Sequence, residues 1–136
     1  MERCPCCNAR LKGAVDCPRC QADLSAVIGA EQTAEHYLAK AIQHWAHKQA
    51  EQSIAALMLA LSLKKTALSL LFREYLIQHY YVEVVELLAG KHLLSANQQL
   101  YNARRLLPYS PQLQQLRTFT HYLLAQRHEP FQTSSL

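Results

Sequence analysis

Glycine is scarce in this 136-residue chain, with three residues in all, and proline contributes five. So little glycine leaves no room for a phosphate-cradling loop, and neither His-Glu-x-x-His nor Gly-x-Ser-x-Gly occurs. Long apolar runs are missing too: the stretch from Ile54 to Leu63 is about half of the roughly 18 residues that a membrane-crossing helix needs. No apolar segment follows Met1-Glu2-Arg3-Cys4, so neither a secretory leader nor a membrane association is expected, and a soluble, cytoplasmic protein is. Charged residues make up only 18% of the chain, and the formal net charge of +4 contains no long basic run. Nucleic-acid binders usually show a clear basic stripe. Cysteine is absent after residue 20.

What is present is a 50% hydrophobic composition dominated by Leu and Ala, which excludes a disordered chain and favours helices over a β-sandwich or barrel. All five cysteines lie near the start, at Cys4, Cys6, Cys7, Cys17 and Cys20. Disulfides that staple a secreted domain would be spread along it; crowding at one end points to a metal site in a reducing compartment. Cys4-Pro5-Cys6-Cys7 and Cys17-Pro18-Arg19-Cys20 form two C-x2-C pairs separated by nine residues. Each pair turns two thiolates towards one point, and a short hairpin in the spacer, with Gly13 at its tip, brings the pairs together. Cys4, Cys7, Cys17 and Cys20 then surround Zn²⁺ at about 2.3 Å each. Iron in the same cage and a set of free or redox-active thiols are the alternatives; a thioredoxin-like pair would need a βαβ context that is missing. Cys6 reads as a spare, partly exposed thiol.

The residues Cys4-Pro5-Cys6-Cys7-Asn8-Ala9-Arg10-Leu11 and Cys17-Pro18-Arg19-Cys20-Gln21-Ala22-Asp23-Leu24 resemble the short zinc-ribbon family found at the ends of many bacterial proteins. The resemblance covers about a sixth of the chain. Asn8 and Gln21 stand where the family usually has Gly after each knuckle, a position that often needs φ > 0. The resemblance implies a closed, structural zinc, and it raises nucleic acid as a ligand because zinc ribbons often bind it. Residues 1 to 22 carry Arg3, Arg10, Lys12 and Arg19 against Glu2 and Asp16, a net of +2 that four thiolates around Zn²⁺ bring close to neutral.

The expected architecture is mainly α: a zinc ribbon over residues 1–22, a helical domain over 23–128 and a flexible tail over 129–136. About six antiparallel helices are expected. The first, capped by Asp23, runs to about His47; the second covers Glu51 to Leu63 and is apolar nearly all round, so it should be covered on more than one side. The third, capped by Thr66, turns Leu68, Leu71, Phe72, Tyr75 and Leu76 inward; the fourth, Tyr81 to Ala89, uses Val82, Val85, Leu88 and Ala89 and stops at Gly90. Ser95-x-x-Gln98 reads as a capping box for the fifth, which ends at Pro108, and Ser110-Pro111 starts the sixth with Leu113, Leu116, Thr120, Leu123 and Leu124 inward.

Residues 34–66 can be laid on a 34-residue tetratricopeptide frame with Tyr37, Ala41, Leu57 and Ala60-Leu61 at its apolar and small positions, although Lys40 and Lys65 replace the expected Leu and Pro. The helices thus resemble degenerate tetratricopeptide-like (TPR-like) hairpins, with an irregular bundle as the alternative. Stacked hairpins present a groove that suits protein partners. His36, His44 and His47 lie on one helix without a carboxylate partner at ligand spacing, so they read as solvated or partner-facing. The expected function is a non-enzymatic zinc-binding adaptor for protein–protein interaction in a larger complex. A nucleic-acid-binding accessory protein and a redox or metal-handling protein are the alternatives.

Overall fold

The computed structural model of the chain describes residues 2–127, so His128 and the tail expected at 129–136 lie outside the described residues. The chain is mainly helical and forms two compact units, Met1–Leu70 and Leu71–Leu136; the expected boundary at residue 22 falls inside the first. Among the described residues there are five α-helices rather than about six: α1 (Ser25–Ala46), α2 (Ala50–Leu63), α3 (Ala67–Ala89), α4 (Leu93–Asn102) and α5 (Pro111–Arg127). None is long and apolar enough to cross a membrane.

In the first unit the cysteine-rich segment leads directly into α1. Asp23 does not sit at the formal cap, Leu24, but its carboxylate accepts the Ser25 N–H at 3.0 Å and so satisfies a free donor of the first turn. α1 ends where Lys48 adopts φ 60° and the Gln49 N–H reaches back to the His44 carbonyl at 2.8 Å. That left-handed reversal starts α2 three residues after α1. The two helices run antiparallel: Ser53 Oγ donates to the Ala41 carbonyl near the turn, and Lys64 Nζ meets Glu31 Oε1 at 2.7 Å at the open end. Between these ties Ala34, Leu38 and Ala41 are buried, as are Ile54, Leu57, Ala60 and Leu61. Alanine at several of these positions lets the backbones approach closely. Leu59 and Leu63 are exposed, so α2 is not covered on all sides as its composition suggested.

α3 is one helix where two were expected. No Gly or Pro lies between Thr66 and Gly90, so nothing interrupts the hydrogen-bond ladder through His79-Tyr80-Tyr81. Thr66 does cap it, accepting the Ser69 N–H at 3.1 Å. Its buried residues are Ser69, Leu76, Ile77, Tyr80 and Val84, whereas Leu68, Leu71, Tyr75, Val82 and Val85, expected inside, are exposed. Both sides of α3 carry large apolar residues, so periodicity alone does not choose between them. The left-handed residue beyond α3 is Lys91, φ 61°, not Gly90.

In the second unit α4 begins two residues before Ser95, which lies within the first turn and caps nothing. Leu107–Tyr109 forms a single 3-10 turn around Pro108, and Ser110 Oγ accepts the Leu113 N–H at 3.2 Å to cap α5, as Ser-Pro predicts. α4 and α5 are antiparallel neighbours: His121 Nε2 lies 3.2 Å from Asn97 Oδ1, and Gln114 Nε2 donates to the Leu107 carbonyl. Leu100, Ala103, Leu106, Leu107 and Leu113 are buried, and Thr120 is buried with its hydroxyl on the Leu116 carbonyl.

Candidate metal centre

Each C-x2-C pair closes a loop of the same construction. In the first loop Cys4 N–H donates to the Ala9 carbonyl and Asn8 N–H to the Cys4 carbonyl; in the second, Cys17 N–H donates to Ala22 and Gln21 N–H to Cys17. Antiparallel bridges join Arg3 to Arg10 and Asp16 to Asp23. The pairing thus lies within each loop and not across the spacer, as a hairpin between Cys7 and Cys17 would have had it. The spacer instead turns at Lys12 and Gly13, both with φ > 0 (48° and 81°), closed by the Ala14 N–H on the Leu11 carbonyl. Asn8 and Gln21 have φ 62° and 61°, the left-handed conformation that Gly adopts most easily. The loop's two backbone hydrogen bonds, its bridge and its left-handed residue recur thirteen residues later, while Cys6 is replaced there by Arg19, so the two loops are near copies.

This duplication brings four sulfurs together. The Sγ atoms of Cys4, Cys7, Cys17 and Cys20 all lie within 4.8 Å of one another. The Cys4–Cys20 separation is 3.6 Å and the Cys7–Cys17 separation 3.4 Å. A tetrahedron with metal–sulfur bonds of about 2.3 Å has edges of about 3.8 Å, so the quartet is close to the size of a Zn–S₄ cage. The separations are far beyond the roughly 2.05 Å of a disulfide, and all five cysteines are free thiols. Among the described residues this quartet is the cluster of His, Cys, Asp and Glu side chains with metal-ligand spacing. His36, His44 and His47 do not converge: His44 bonds Gln49, His47 bonds the Gln43 carbonyl, and His36 packs edge-on against Tyr37.

The cage has a small apolar shell. Cys4 and Cys17 are buried together with Leu11 and Leu24, and Ala9, Ala22 and Ile28 pack around them. Leu24 and Ile28 belong to the entry and first turn of α1, so the sulfurs are fixed to the helix that follows. Leu11 and Leu24 are equivalent residues of the two loops, and the thirteen-residue offset is the sequence signal that identifies Leu11 as part of the shell.

Backbone amides and sulfur–sulfur contacts divide the thiols electrostatically. The N–H of Cys20, and with it that of Arg19, brings the Cys17 thiol down to about 6 against the opposing effect of burial. Burial pushes Cys4 up, but the N–H groups of Cys7 and Cys6 outweigh it and hold the thiol below its ordinary range. Cys20 is driven to about 12: the Ala22 N–H favours its thiolate, but burial and the three sulfurs beside it prevail. A set that holds some thiolates and resists the last is one in which a divalent cation replaces the remaining protons. Cys6 is exposed and faces outward, its amide on Cys4 Sγ at 3.4 Å, and the negative charge of Cys4 raises its own thiol. Four protein thiols complete a tetrahedral shell and leave no corner for a substrate. The chain matches no protein-family model, no curated protein and no solved structure.

Proposed function

We propose that the protein is a non-enzymatic adaptor, an N-terminal ribbon clamped by a structural Zn²⁺ on Cys4, Cys7, Cys17 and Cys20 and followed by TPR-like hairpins that hold a protein partner. The sulfur quartet carries this reading: its spacing suits a closed S₄ cage, and such a cage stabilises a fold without offering a reactive position. The ribbon segment is too short to bury a core of its own, and the ion supplies the missing cohesion. The antiparallel α1–α2 pair, with its alanine-rich seam, is the kind of hairpin from which helical stacks are built. Zinc is preferred over iron because a structural role needs no redox chemistry. The test is metal analysis of the purified chain together with affinity capture from the native host. One zinc per chain, retained through purification, and one stoichiometric protein partner are expected. A metal-free chain, or a red iron-loaded one, overturns the zinc assignment, and the lack of any stoichiometric partner overturns the adaptor.

A second reading has one observation in its favour. Arg3 and Arg10 lie directly opposite each other across their bridge, and with Lys12, Gly13 and one carboxylate, Glu2, they line a polar concavity of about 430 Å³. Like charges in that register are destabilising unless an anion sits between them. Nucleic-acid binding through these residues predicts an affinity that falls with salt with a slope of several units, reduced by about one for each of Arg3→Ala and Arg10→Ala.

A further inference from the structure

The geometry points to the outward face of α3 in the second unit as the docking site for an amphipathic partner helix whose apolar stripe is bordered by Lys or Arg. The inference rests on the adaptor reading and deepens it. Leu71 is 66% exposed, Tyr75 54% and Val82 44%, and these residues follow one another at helical spacing on the side opposite buried Leu76, Tyr80 and Val84. A helix that is apolar on both sides is one built to be covered twice. Phe72 and Tyr75 stack with ring centroids 6.1 Å apart, which fixes the upper part of the stripe. Below it a shallow groove of about 600 Å³ runs past Tyr75, His79 and Val82 to Glu83 and Glu86.

Charge selects the occupant. α3 carries Glu74, Glu83 and Glu86 against a single permanent cation, Arg73, in a chain that is otherwise basic, and Glu83 lies 3.3 Å from His79 Nε2 within the groove. Arg73 is turned away from this face, its guanidinium 4.3 Å above the Tyr109 ring. The border of the stripe is therefore acidic, and a helix with basic flanks complements it in both apolar and charged character. A second copy that docked through this same strip would set acidic border against acidic border.

The experiment titrates the full chain with two synthetic helices that share one leucine stripe and differ only in Lys or Glu at the flanking positions, read by fluorescence anisotropy. The Lys-flanked helix binds saturably, at least about ten-fold tighter than the Glu-flanked one. Leu71→Asn with Tyr75→Ser removes binding, and Glu83→Lys with Glu86→Lys, which leaves the stripe intact, reverses the preference. Circular dichroism confirms that each variant is folded. Equal binding of both helices, no saturable binding, or indifference to the variants overturns the inference. So does a dimer in sedimentation that Leu71→Asn abolishes, since a second copy then covers the face. Capture from the host with the Leu71→Asn, Tyr75→Ser variant separates the two readings. A partner retained by that variant removes α3 as the site and leaves the adaptor standing, whereas no partner for the unmodified chain removes the adaptor itself.

Discussion

Gln21 holds φ 61° in a position where a side chain crowds the following carbonyl, a conformation that costs a non-glycine residue roughly 1–2 kcal/mol. The cost is tolerated because the Gln21 N–H must reach the Cys17 carbonyl for the second loop to close. Gln21→Gly therefore stabilises the metal-loaded ribbon by about 1 kcal/mol, read as slower metal loss to a competing chelator; Asn8→Gly gains less, since Asn adopts this conformation more readily. The thiols give a second expectation, with a definite sign. At pH 8 Cys17, with its thiol at about 6, is already ionised, whereas Cys20, at about 12, still holds its proton. Counted from the folded thiol set, Zn²⁺ binding at pH 8 thus displaces at least one proton but fewer than four; a ribbon that unfolds without metal returns its thiols to the ordinary range and raises that number, and in both cases the apparent affinity rises with pH. Below about pH 6 Cys17 must also be deprotonated, one more proton is released and the pH dependence steepens. Calorimetry in two buffers of different ionisation enthalpy counts these protons. Cys17→Ser abolishes tight binding, while Cys6→Ser, at an exposed thiol outside the quartet, keeps the stoichiometry.

The ribbon and the α1–α2 hairpin draw on different sources of cohesion. The ribbon has isolated bridges and a shell of small and medium apolar residues, whereas the hairpin has a continuous seam. Chelation should then unfold the ribbon and leave the helices formed, so far-UV circular dichroism keeps most of its helical signal while the thiols become freely reactive. Loss of most of that signal would place the metal at the root of the helical fold as well. Leu57 and Leu59, two residues apart on α2, test the seam itself. Leu57 is fully buried and Leu59 is 49% exposed. Leu57→Ala is expected to cost about 3 kcal/mol in urea unfolding and Leu59→Ala no more than about 0.5 kcal/mol. Equal costs would mean that α2 is covered on both sides, as its all-round apolar composition suggests.

Across the whole chain a metal bound to the quartet would also change the charge. Residues 1–22 carry +2 from their fixed side chains, and a Zn–S₄ centre contributes −2, so the loaded ribbon is near neutral. The metal-free ribbon, its thiols back in the ordinary cysteine range and mostly protonated at pH 7 once the segment unfolds, is the more basic form, and capillary electrophoresis should show mobility towards the cathode increasing on chelation. The cysteine spacing, Thr66 and Ser110-Pro111 were legible along the chain because each is a local feature, a turn or a cap; the buried side of α2 was not, because exposed Leu59 and Leu63 are as apolar as buried Leu57 and Leu61. The side of α3 that is buried was not legible, since Leu71, Tyr75 and Val82 are as apolar as Leu76, Tyr80 and Val84, and burial is decided by which neighbours arrive. Nor was the continuity of α3 through His79-Tyr80-Tyr81, where a junction between two helices was expected that only a Gly, a Pro or a competing contact would enforce. Local chemistry thus settled that four sulfurs could share one ion and that the remainder is helical. The chain's long-range packing settled how closely those sulfurs approach and which apolar residues stay exposed, because both depend on residues far apart in sequence meeting in space.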